Sequence, residues 1–178
     1  MIRTGVVASV LMAMVAVGSA EAGPIRSQAS GSFVAQGTPI DTNNDGTSAD
    51  LFIVSGSSSQ LGSFTNQTVA EWEFGAPTTT CPAGTVLQGT LVPAGSAFVT
   101  RVANGDLLFG AFTSGTNCIS ATGIATISAA GNFAGGTGRF DDAAGSFTVA
   151  ATATILAADA SGNAFGGVVA TTEGTLNK

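Results

Sequence analysis

Histidine and tyrosine are absent from this 178-residue chain, and lysine occurs once, as Lys178. Without histidine there is no Ser-His-Asp triad, no imidazole metal ligand and no imidazole acid–base catalyst. A lone lysine at 178 argues against a buried Schiff base and against a P-loop. Charge is scarce: 9% of residues are charged, and 5 Lys+Arg stand against 11 Asp+Glu for a net charge of −6. Nucleic-acid binding uses clustered Lys and Arg to neutralise phosphates, so a nucleic-acid partner is not expected. What the chain has instead is 44% hydrophobic residues and 25 glycines. That balance is the opposite of disorder, and the length suits one domain with a substantial core.

Residues 1–22 read as a secretory signal peptide. Arg3 gives a positive start, Gly5 to Gly18 is an uncharged apolar run, and Ala20-Glu21-Ala22 fits small-x-small cleavage. The run falls short of the roughly 20 residues of a membrane anchor. Cleavage leaves residues 23–178 as a single domain with no expected membrane span, in a secreted or periplasmic location. Cys81 and Cys118 are the only cysteines. Outside the cytosol they are expected to form a disulfide, since neither lies in a C-x-x-C pair and no histidine could activate a thiol.

Beyond residue 22 the composition, rich in Gly, Thr, Ser, Val and Phe, favours strands over helices. Turn residues recur every ~8–15 positions, as in an all-β sandwich or barrel. Candidate strands are 30–36, 50–57, 63–74, 85–92, 96–103, 107–114, 119–133, 145–158 and 164–175. Phe64, Thr68, Ala70, Trp72 and Phe74 alternate onto one face of the third. Asn104-Gly105 between apolar runs predicts a two-residue type I′ hairpin. The predicted fold is all-β, a closed antiparallel barrel of about eight strands. Closure removes the exposed edges that invite aggregation. A supply of 11 Phe, one Trp and no Tyr is poor material for the aromatic girdles of an outer-membrane barrel.

Gly135-Gly136-Thr137-Gly138-Arg139-Phe140, continued through Ala143 to Gly145, is the densest glycine cluster. It lacks the lysine of a phosphate loop and precedes a strand, so it reads as a tight, bulged turn. Arg139 lies two and three positions before Asp141 and Asp142, the setting for a local ion pair. The stretch resembles the signature of dirigent and allene oxide cyclase-like proteins, a pattern also seen in secreted bacterial proteins of unassigned function. The resemblance implies an eight-stranded antiparallel barrel, with homo-oligomers known among its plant members. It brings no catalytic residue, because none of the family's catalytic motifs matches a position here.

Two acidic groupings complete the inventory. Asp41, Asn43 and Asp45 occupy positions 1, 3 and 5 of a calcium-loop pattern with Gly46 at 6, and Asp50 is a candidate fourth ligand. Hard oxygen donors at this spacing suit Ca²⁺, but position 12 is Phe52 where an EF-hand has glutamate, and a polar hairpin loop explains the same residues. No other cofactor is called for. Glu71 and Glu73 share one face of a strand, either outward to solvent or inward to a polar lumen, where paired carboxylates could run acid–base chemistry. Asn66-Gln67-Thr68 matches a glycosylation sequon. Three functions compete: a non-catalytic exported barrel binding a small apolar ligand, a cyclase- or isomerase-like enzyme on an apolar substrate, and a structural or cell-surface protein.

Overall fold

A computed structural model describes residues 22–35, 49–159 and 163–178; the signal segment therefore lies outside the described residues, save Ala22. Eight strands run β1 Gly23–Ala35, β2 Asp50–Ser58, β3 Gly62–Gly75, β4 Thr85–Val102, β5 Leu107–Ser120, β6 Ile124–Gly136, β7 Ala144–Ala158 and β8 Ala164–Leu176. Each pairs antiparallel with its sequence neighbour, and β8 pairs with β1 from Gly23↔Leu176 to Ala35↔Ala164. The barrel is closed, as the sequence predicts: each of the eight described strands has a hydrogen-bonded neighbour on both sides. Among the described residues no helix is long and apolar enough to cross a membrane.

Period-two alternation sorts the side chains. Phe64, Ala70 and Trp72 on β3, Ala125, Ile127, Ala129 and Phe133 on β6, and Phe147 and Ala153 on β7 are buried in one core cluster. Between them, outward positions are largely Ser, Thr and Gln. Two rows across the wall show how large and small residues share the interior. Phe98, Gly110 and Phe133 are register partners on β4, β5 and β6; Phe112, Gly131 and Phe147 are partners on β5, β6 and β7. The glycines clear space for the rings, which meet edge-on over them: Phe98–Phe133 centroids are 6.2 Å apart and Phe112–Phe147 5.6 Å. Phe98 also meets Phe147 at 5.2 Å, joining the two rows. Such tilted contacts suit the ring quadrupoles and add ~0.5–1.5 kcal/mol per pair beyond burial.

Two boundaries differ from the sequence reading. The runs 85–92 and 96–103 are one strand, β4, with an arch. Val69 pairs with Ala97 and Glu71 with Val92, so residues 93–96 bow out of the ladder. Pro93, which has no N–H to give a ladder, is tolerated there. The run 119–133 is instead cut by a turn at 121–123, where Gly123 takes φ +76°. The Asn104-Gly105 hairpin is offset by one residue. Gly105 N–H donates to the Val102 carbonyl at 2.9 Å, which puts Ala103 and Asn104 in the central positions and Gly105, φ +93°, after them. That is a four-residue turn with a glycine bulge and not a type I′ pair.

One barrel end is capped by the β6–β7 connection. A single 3₁₀ turn, Gly138–Phe140, drives Phe140 into the core beside Leu108 and Leu176, all three fully buried. Gly138 adopts φ +58° under the Asp106 carboxylate, which accepts the Arg139 backbone N–H at 3.3 Å. At the opposite end, Cys81 in the β3–β4 loop is bonded to Cys118 on β5 with Cα atoms 5.7 Å apart. This fastens the loop to the wall.

Candidate functional site

The barrel interior is mostly filled, and what remains is a cavity of about 130 Å³. Its lining draws on every strand and is dominated by Ile, Leu, Val, Ala and Phe, with Trp72 on β3. Among the described residues that line it, none is ionisable. The polar lining consists of Ser27 and Thr172, register partners on β1 and β8, and of Asn66, Thr68 and Thr100 on β3 and β4. The last three are hydrogen-bonded together. Asn66 Nδ2 donates to Thr100 Oγ1 at 2.8 Å, and Thr68 Oγ1 donates to Asn66 Oδ1 at 2.6 Å. Asn66 and Thr100 face each other in the register, and Thr100 is only 4% exposed. The indole N–H of Trp72 is buried without an acceptor.

The residues singled out from sequence fall elsewhere. The glutamate pair is split: Glu73 is exposed, whereas Glu71 is 1% exposed, and neither lines the cavity. The two were expected to share one environment. The arch in β4 breaks that equivalence, because Ser96 on the arch accepts the Glu71 backbone N–H at 3.0 Å and Gly95 packs against its carboxylate. Asp41, Asn43 and Asp45 lie outside the described residues; Asp50 is buried at the start of β2. Among the described residues there is no cluster of three metal-ligating side chains.

In the Gly135–Gly145 stretch, Gly135, Gly138 and Gly145 have positive φ, and Gly136 passes the Leu107 carbonyl and Phe140 too closely for a Cβ. The expected ion pair of Arg139 with Asp141 or Asp142 is not formed. The guanidinium stacks 4.7 Å from the Phe140 ring centroid and donates to the Leu61 carbonyl at 3.1 Å, clamping the cap to the β2–β3 turn. An aromatic face and a backbone carbonyl hold it, rather than two carboxylates exposed to water. The sequon reading of Asn66 also fails on position, since its side chain lies inside the barrel. The alternation that assigns Phe64, Thr68 and Trp72 to one face carried the signal for Asn66 too; Thr100 was hidden by the arch.

No family model, curated protein or solved structure matches the chain.

Proposed function

We propose that this is an exported, non-catalytic β-barrel protein that holds one small apolar molecule inside the barrel. The observation that carries the reading is the cavity: walled by all eight strands, apolar over most of its lining, and lined by no ionisable residue among those described. Transfer of apolar surface from water into such a site is favourable by ~25 cal/mol per Å². The volume sets the scale. An apolar cavity of roughly 150 Å³ takes up benzene, whereas sites for drug-sized ligands span about 300–1,000 Å³. At about 130 Å³ the cavity fits one ring.

Other features support parts of the reading. The Cys81–Cys118 bond is compatible with an extracellular or periplasmic protein. The interior is apolar, unlike the polar lumen of a bilayer-spanning barrel, and the outer face mixes Ser and Thr with exposed apolar side chains such as Val34, Ile53, Phe165 and Val169. The likeness of the 135–145 turn to dirigent and allene oxide cyclase-like proteins agrees with this architecture, and we take no chemistry from it. The cyclase-like alternative would need an acid or base beside the cavity. The test is mass spectrometry of small molecules extracted from natively purified protein, together with titration by benzene-sized hydrocarbons followed through Trp72, the single tryptophan. Saturable binding at one site is expected. A protein that carries nothing and takes up none of them would refute the reading.

A further inference from the structure

The polar corner of the cavity states what kind of small molecule fits. Asn66, Thr68 and Thr100 together carry four polar hydrogens: two on the amide and one on each hydroxyl. The two hydrogen bonds among them use two. Two donors are therefore left over, and reversing the amide of Asn66 changes which hydroxyl is left over but not the number. As placed, they are the second Asn66 N–H and the Thr100 O–H. Thr100 is shielded from bulk water at 4% exposure, and a buried donor without an acceptor costs ~1–3 kcal/mol. The unpartnered indole N–H of Trp72 lies six residues further along β3 from Asn66, opposite Leu91, and is a separate donor. The Asn66–Thr68–Thr100 corner thus has an excess of hydrogen-bond donors; apart from Ser27, Thr172 and the Trp72 indole, the rest of the lining is hydrocarbon.

Resting on the binding function proposed above, we infer that the ligand is an uncharged, ring-sized carbonyl compound, with its oxygen at the Asn66–Thr68–Thr100 corner. A carbonyl oxygen has two lone pairs for the two donors and brings no hydrogen that would need an acceptor. A carboxylate is disfavoured, because no cationic residue among those described lines the cavity to offset its desolvation. A pure hydrocarbon fits the space but leaves the donors unpaired.

The probes are cyclohexanone and its near-isostere methylenecyclohexane, with the purified disulfide-bonded protein. Both should bind at one site, and the infrared carbonyl stretch of bound cyclohexanone should lie below its value in hydrocarbon solvent. Thr100→Val keeps the shape of the side chain and removes the hydroxyl. It should weaken cyclohexanone roughly three- to tenfold, the range of one hydrogen bond, and leave methylenecyclohexane unchanged or tighter. Thr68→Val is the second variant, and the infrared measurement on the unaltered protein decides the matter even if both variants fail to fold. If methylenecyclohexane binds but the ketone stretch stays at its hydrocarbon-solvent value, the carbonyl inference is overturned and the apolar site survives. If neither compound binds, both are overturned.

Discussion

Replacing Gly110 by alanine probes how the barrel is filled. Gly110 sits between Phe98 and Phe133 in the register, and a Cβ there would strike the Phe98 ring and come within 3.0 Å of the Asn132 carbonyl oxygen. Two effects oppose. Alanine is better than glycine in a strand interior by ~0.5–1 kcal/mol, while overpacking a core costs ~1–3 kcal/mol. Crowding wins, because the ring it displaces is held by Phe112, Phe133 and Phe147, with centroids 5.2–6.2 Å away. The expected net loss is roughly 0.5–2 kcal/mol, or about 1–8 °C in Tm at the ~2–4 °C per kcal/mol typical of a domain this size. Phe98→Leu removes the struck ring atoms, so Gly110→Ala in that background should be close to neutral. A coupling of roughly 1 kcal/mol or more between the two sites is expected from thermal or urea melts. A Gly110→Ala variant that melts higher than the parent, or strictly additive effects, would refute the large-small packing argument.

Three further outcomes follow from the structure. Replacing both Cys81 and Cys118 by serine opens a link of sequence separation 37 and should lower stability by about 4 kcal/mol on the chain-entropy model, read by urea denaturation. Arg139→Ala should cost about 1–2 kcal/mol through the lost Leu61 hydrogen bond and the Phe140 stacking, whereas Asp141→Ala and Asp142→Ala should stay within about 0.5 kcal/mol. Ala129→Leu, on the cavity wall, should occupy the free space and lower hydrocarbon affinity at least roughly tenfold while the protein stays folded, measured by Trp72 fluorescence.

The sheet was legible in the sequence because its signal is local. Alternation in 63–74 and 145–158 and the turn residues between runs are enough to specify strands, and eight of them in antiparallel order leave closure as the way to lose two edges. The arch in β4 was not legible. Pro93-Ala94-Gly95 looks like a turn between two strands, and only pairing with both β3 and β5 on either side of it shows a single strand. The same blindness misplaced Glu71: a strict period of two joins it to Glu73, but the arch covers one and leaves the other exposed. Arg139 failed for a different reason. Neighbouring aspartates are visible in sequence, whereas the Leu61 carbonyl, 78 residues away, is brought near only by the closed barrel.

The interior is also where sequence and function part company. A barrel of this strand number can be packed solid or left hollow, and composition rich in Ala, Gly, Val and Phe suits either. The outcome is decided by which large residue meets which small one across the wall. Phe98 and Phe133 over Gly110, and Phe112 and Phe147 over Gly131, fill one sector. The same four rings line the free space together with Ala70 on β3 and Ala129 on β6, and Phe98 is the register partner of Thr68. Asn66, Thr68 and Thr100 line that space too, so the donor-rich corner borders it. Had the lining been hydrocarbon alone, the space would have suited any hydrocarbon of the right size. With Thr100 in the lining, the proposed site would select by chemistry as well as by volume.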